Sequence, residues 1–259
     1  MSKIIAIDLE TAPNLLMNWS LWQKYHDYDA ILEGKERCIL TAAWRDIFDP
    51  KEQTFYATID PRDPYDDEAL VRLLCEELED ADALIYQNGD KFDLPYIKTR
   101  QLKYRIPPLP PMLTVDTLKI CKKEFYLNSN RQDAVSKFLG RKGKIDTKLE
   151  WWKKICDPAS PIKERRKYLD MMVEYNVDDV EELILNYRDI RPYATNHPAF
   201  TLINGIEEGC PRGCGDTLEL NNRKHHKATT RKYDMFQCTN CGGWARDTKS
   251  KGGITRRAL

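Results

Sequence analysis

The order of elements in the sequence predicts an α/β fold, a mixed sheet flanked by helices, followed by a small cysteine-bearing tail. Three observations carry that expectation. Three apolar runs of strand character come before the first helical stretch. Strands and helices then alternate before giving way to helices alone. Four of the eight cysteines fall in two close pairs near the end of the chain.

Residues 3–8 form an apolar run bounded by charge and read as a buried strand. "CILTAAW" (38–44) reads as a second strand and "QTFYATI" (53–59) as a third, joined through the turn residues of "FDPKE" into a meander. In "DDEALVRLLCEELEDA" (66–81), Leu70, Leu73, Leu74 and Leu78 recur at helical spacing behind an acidic first turn. "ALIYQN" (83–88) is short and apolar enough for a strand, and a helix is expected from about Asp93 to Tyr104. The proline cluster "IPPLPP" (106–111) bars that helix from continuing, and "MLTVD" reads as the last strand of the layer. Helical patterning covers 130–140 and the long segment 162–187. "RPYATNHPAF" (191–200) has two prolines and no period, so it is the expected linker between a domain over 1–195 and a second over 205–259. No internal repeat is evident.

A chain of 259 residues with 41% hydrophobic and 32% charged residues has the composition of a globular protein with a substantial core. No run reaches the roughly 18 apolar residues of a membrane span. Asp8 and Glu10 come too early for the apolar segment of a secretory signal, so a reducing cytoplasm is expected, with cysteines as thiols or metal ligands. The formal net charge of zero hides an asymmetry. From Cys210 onward there are eleven Lys and Arg against four Asp and Glu, which leaves thirty against thirty-seven before it. A basic tail on an acidic body points to an anionic partner, with nucleic acid the first choice.

Asp8 and Glu10 stand two residues apart on a strand, so both point to one face, where two carboxylates near an apolar run repel. Something must compensate them. In "YNVDDVEELILNY" (175–187), Tyr175 and Asp179 share one helix face beside an apolar stripe of Val180, Leu183, Ile184 and Tyr187. In "NGDKFD" (88–93), Asp93 follows a strand and opens a helix, a position at the sheet edge. Asp178 lies three residues from Tyr175 and is a rival to Asp179; Asp116 reads as a helix cap and Asp90 as a turn residue.

The stretches "DLE", "NGDKFD" and "YNVDD", in this order and separation, resemble the three motifs of the DEDD superfamily of 3′ to 5′ exonucleases in its tyrosine form, DEDDy. "NSNRQDAVSKFLG" (128–140) is similar to the segment before the third motif in proofreading-type and phage-encoded members. The resemblance covers about residues 1–190 and implies a ribonuclease H-like fold. It also implies two Mg2+ or Mn2+ ions that neutralise the acids and stabilise a phosphoryl group under attack by water. By this resemblance Asp8 bridges both ions, Glu10 and Asp179 complete the first, and Asp93 holds the second. Tyr175 orients the attacking water. Asn88 and Phe92 support the site, and Leu9 and Thr11 contact the terminal nucleotide.

In the tail, "CPRGC" (210–214) and "CTNC" (238–241) form two knuckle-like pairs, the pattern of a four-thiolate zinc ribbon held by Cys210, Cys214, Cys238 and Cys241. The first pair is one residue longer than Cys-x-x-Cys, which leaves His225 or His226 as stand-ins for Cys210. Between the pairs lies the basic run "RKHHKATTRKY", with Tyr233, Phe236 and Trp244 as stacking faces or as a small core. Cys38, Cys75, Cys121 and Cys156 sit in apolar or helical settings and read as buried small hydrophobes. The expected function is a metal-dependent 3′ to 5′ exonuclease on single-stranded DNA, with a replication or repair partner since no polymerase motif follows. An RNA-trimming exonuclease and a non-catalytic nucleic-acid adaptor are the alternatives.

Overall fold

The computed structural model describes residues 3–19, 22, 24–143, 147–203, 205–206, 209–214, 218–227 and 230–253. The chain forms two compact units, one of Lys3–Lys119 with Asn128–Asn186, the other of Ile120–Leu127 with the chain from Tyr187 onward.

The first unit is built on a five-stranded mixed sheet. Its strands are β1 (Ile4–Thr11), β2 (Ile39–Asp46), β3 (Phe55–Thr58), β4 (Ala83–Tyr86) and β5 (Leu113–Asp116), in the order β3-β2-β1-β4-β5. The meander is antiparallel, whereas β4 and β5 join parallel to β1 through the crossover helices α1 (Glu68–Glu79) and α2 (Asp93–Tyr104). This is the mixed α/β layer that the order of elements predicts. β1 is longer than expected and carries both acids within it. Ile5, Ile7 and Leu9 point into the hydrophobic core, so Asp8 and Glu10 project from the opposite face.

α2 ends ahead of the prolines, on Arg105 in the left-handed conformation (φ 53°), whose N–H bonds back to the last carbonyls of the helix. The helices α3 (Thr117–Glu124), α4 (Gln132–Phe138), α5 (Leu149–Cys156) and α6 (Ile162–Ile190) follow. The buried residues Met172, Asn176, Asp179, Val180, Leu183, Ile184 and Tyr187 fall on one face of α6, the stripe that the 3.6-residue period predicts. Cys38, Cys75, Cys121 and Cys156 are buried, and burial pushes the Cys75 and Cys156 thiols up to about 11. No helix among the described residues is long and apolar enough to cross a membrane.

Helical periodicity gives no hint of a buried ion pair between α1 and α2. Asp67, fully buried before α1, accepts hydrogen bonds from the Ile39 N–H at 2.9 Å, Arg100 Nε at 3.0 Å and the Tyr104 hydroxyl at 2.6 Å. Arg100→Met strands a buried carboxylate, at a cost of about 3–5 kcal/mol. Calorimetry is expected to show a melting temperature lower by on the order of 10 °C, and an unchanged midpoint would show that the pair contributes nothing.

In the second unit, β6 (Leu218–Lys227), β7 (Arg231–Cys238), β8 (Trp244–Arg246) and β9 (Gly252–Gly253) form an antiparallel sheet. The segment expected as a linker carries a 3-10 turn at Arg191–Tyr193 and leads into α7 (Phe200–Ile203). The Phe200 N–H bonds the Pro211 carbonyl at 2.8 Å, and the buried Arg212 donates to the carbonyls of Ala194 at 2.9 Å and Trp244 at 3.1 Å. His197 sits in the same packing. Its Nδ1 lies 2.6 Å from the Pro198 carbonyl and so carries the proton, which leaves Nε2 to accept from the Tyr187 hydroxyl at 2.7 Å.

Burial, aided by Arg191 and Arg212, lowers the His197 pKa to about 4. With a folded pKa below the unfolded value, the stabilisation is fully present above about pH 6.5 and is lost as pH falls toward 4, about 3 kcal/mol in total. Urea titrations are expected to show the stability gap between wild type and His197→Gln narrowing over that window. A gap independent of pH would mean that His197 titrates normally.

Candidate active site

The parallel pairing of β1 with β4 sets the location of the site. Ile4–Ala6 pair with Ala83–Ile85, so Asp8 and Glu10 lie just past the last pair, where the C-terminal ends of both strands share one sheet edge. The chain leaving β4 turns at that edge and enters α2 at Asp93. Asn88 takes a left-handed conformation there (φ 67°), and its carbonyl accepts from the N–H groups of Lys91 and Phe92. Gly89 passes so close over the Tyr86 ring that a Cβ would sit 2.2 Å from it, so only glycine fits. Asp116 caps α3 through the Leu118 N–H at 3.0 Å and also takes the Asn88 N–H at 2.9 Å, tying β5 to the turn. Asp90 accepts from the Tyr86 hydroxyl at 2.6 Å and pairs with Lys119.

Asp8, Glu10 and Asp179 come together, with one carboxylate oxygen from each inside a group whose members all lie within 4.8 Å of one another. Asp179 is 1% exposed and the other two are half-buried. Asp93, 3% exposed at the start of α2, is not a member of that group. Tyr175 stands beside the three acids. Burial, followed by the charges of Asp179, Glu10 and Asp8, raises its phenol well above the ordinary tyrosine value, so it remains a proton donor. Phe92 is partly exposed and packs against Tyr96 with ring centroids 4.9 Å apart. Leu9 differs from the expectation that it contacts a nucleotide, because strand alternation buries it in the core. The Thr11 carbonyl accepts from Trp152 Nε1 at 3.0 Å.

Asn176 and Thr41 escaped the reading of the sequence. The fully buried Asn176 donates to Asp8 Oδ2 at 2.8 Å, and its own oxygen accepts from the Thr41 hydroxyl at 3.0 Å. Gln132 holds the Asp179 carbonyl at 2.7 Å. The available signal for Asn176 was its place next to Tyr175, three residues from Asp179, on the inner face of α6.

The four cysteines of the tail converge as well, with Cys210 and Cys241 sulfurs 3.8 Å apart and those of Cys214 and Cys238 3.2 Å apart. Tetrahedral zinc with bonds of about 2.3 Å needs sulfurs about 3.8 Å apart, the spacing of Cys210 and Cys241, while the closer Cys214 and Cys238 sulfurs would have to part slightly to hold a thiolate-bound ion. Burial raises the Cys238 thiol, but backbone N–H groups of Cys241 and Asn240, with Cys214, outweigh it and lower Cys238 to about 7. The side chains of His225 and His226, the alternative ligands, lie outside the described residues.

The fold and site define a mixed-sheet α/β protein with an acidic centre at the end of its central parallel strands. A family model of the RNase_H superfamily matches residues 25–188, and the chain belongs to that superfamily. Asp93, Tyr175 and Asp179 lie within the matched segment, Asp8 and Glu10 ahead of it. Among solved structures, the chain is similar to the family B DNA polymerase from the hyperthermophilic archaeon Pyrobaculum calidifontis, with a TM-score of 0.52 at 17% identity. The match covers 74% of this chain and 25% of that one, so the chain spans about a quarter of the polymerase's length, and the likeness is one of fold. No curated protein matches the chain. Superfamily membership together with the acidic centre supports a nuclease at that level of description.

Proposed function

We propose that the chain is a metal-dependent exonuclease of the DEDDy type that removes nucleotides from the 3′ end of single-stranded DNA. The convergence of Asp8, Glu10 and Asp179 beside Tyr175 carries this reading. Three carboxylates this close repel unless a cation joins them, and an all-oxygen donor set fits Mg2+ or Mn2+. Asp8, Glu10 and Asp179 would hold one ion, and Asp8 with Asp93 a second. Such ions supply positive charge to a phosphoryl group under attack and make water more acidic.

The protein's own groups do the positioning. Asn176, anchored by Thr41, fixes the Asp8 carboxylate from the side of α6. Tyr175, kept protonated, donates to the attacking water and orients it. In this reading a nuclease domain over 1–195 is followed by a ribbon over 205–259, where Cys210, Cys214, Cys238 and Cys241 hold a structural zinc. The chain would act in the cytoplasm, in trans beside a replication or repair enzyme.

The test uses single-stranded DNA and RNA of one sequence, labelled at the 5′ end, with Mg2+ or Mn2+, and Asp8→Ala in parallel. The expected result is a ladder that shortens from the 3′ end, faster on DNA, and slowed about 1,000-fold in the variant. Internal cuts would overturn the exonuclease reading. Faster loss of RNA would move the substrate to RNA, and equal activity in Asp8→Ala would remove the acidic centre from the chemistry.

A further inference from the structure

We infer that the second unit carries a nucleotide subsite for single-stranded nucleic acid, in the cleft between the end of α6 and the second cysteine knuckle. A base stacks there on an aromatic ring while a phosphodiester meets arginine. The cleft has a volume of about 540 Å3, within the roughly 300–1,000 Å3 of small-ligand sites. Arg188, Asp189, Arg191, Tyr193, Asn240 and Trp244 are among the residues that line it.

Three features point to a nucleotide unit. Tyr193 is 61% exposed, yet its ring is held edge-on to Phe125 at 5.1 Å, so its orientation is set while much of it faces solvent. Trp244, 37% exposed, adds a second ring to the same cleft. Two rings open to water at one cleft form the platform on which bases of any sequence stack. The guanidinium of Arg191 lies over the Tyr187 ring at 5.7 Å, and its buried Nε has no hydrogen-bond acceptor among the described residues. Two guanidiniums against one carboxylate leave the lining one positive charge, which matches one phosphodiester. The chain from Cys210 onward adds eleven basic residues against four acidic ones, an attraction for a polyanion. An acidic peptide would satisfy the charges but leave the paired rings without a planar partner.

The inference shares its substrate class with the proposed exonuclease and rests on that reading for its role, but its test needs no catalysis. Anisotropy of a fluorescein-labelled (dT)20 strand is followed in the full chain carrying Asp8→Ala, with zinc retained. Tyr193→Ala is expected to weaken binding about tenfold, as one stacked base is worth about 1–3 kcal/mol, while Tyr193→Phe binds as the parent does. Arg191→Gln is expected to reduce the slope of log affinity against log salt by about 0.7, which Tyr193→Ala leaves alone. Zinc content and circular dichroism verify folding, and Arg188→Gln replaces Arg191→Gln if the latter fails to fold. Unchanged affinity in the alanine and glutamine variants overturns the subsite. So does an equal loss in Tyr193→Phe, or competition by polyglutamate that ignores Tyr193. A chain that binds as expected but cleaves nothing overturns only the exonuclease reading.

Discussion

Asp179→Asn is expected to lower cleavage by about 1,000-fold, close to 4 kcal/mol of transition-state stabilisation, and to raise the melting temperature measured without divalent ions. The two effects have one cause. Asp179, Glu10 and Asp8 bring like charges within 4.8 Å, with Asp179 almost completely buried, so the fold holds them together against their repulsion. Asparagine keeps the shape and leaves the backbone bond from Gln132 to the Asp179 carbonyl intact. It removes one charge of the three. Relief of about 1 kcal/mol corresponds to roughly 2–4 °C in a chain of this size. Added Mg2+ or Mn2+ is then expected to stabilise wild type strongly and the variant little, since a ligand raises stability only in proportion to its affinity for the folded state. Melting curves with and without the ion, beside the labelled-strand assay, read both signs. A variant with normal cleavage and the normal response to Mg2+ would reduce Asp179 to an ordinary helix carboxylate.

Much of this arrangement was legible in the sequence because the motifs lie where local patterns are strong. The apolar runs that became β2 and β4 are buried on both faces and stand out as continuous hydrophobic stretches, while the helical periods of α1 and α6 come from burial of one face. β1 was read short because its first acid looks like an end. The strand continues to Thr11 because Asp8 and Glu10 share a face and Leu9 keeps the other in the core. Nothing local marks the Asp67 to Arg100 pair, since its partners are 33 residues apart and an acidic residue before a helix ordinarily reads as a cap. Asn176 was missed for a similar reason. A buried amide leaves no periodic trace, and its value depends on Thr41 and Asp8, which tertiary packing brings to it. The segment 191–200 reads as a linker because its two prolines break any period, and the bonds it makes to residues 211 and 212 leave no trace in its own sequence.

Cys238→Ser is expected to remove about one zinc per chain and to erase amide-exchange protection along Arg231–Cys238, while the amides of β1 and β2 keep theirs. The reason lies in what the tail can bury. From residue 209 onward, the buried hydrophobic side chains among the described residues are Cys210, Tyr233 and Cys238, two of them sulfur donors. Without a bound ion, one buried tyrosine remains among the described residues to offset the entropy of ordering the strands, little core for a sheet of this size. Structural zinc sites supply about 10–16 kcal/mol in small peptides, enough to reverse that balance. Serine keeps the size of cysteine but gives a harder, less acidic oxygen donor, and it disrupts the knuckle in which Cys241 and Asn240 N–H groups point at the Cys238 sulfur. Atomic absorption on the purified chain and exchange mass spectrometry read the two outcomes independently. Loss of metal with full protection in β7 would show that the strands fold by packing alone and that the four thiols are not their structural support.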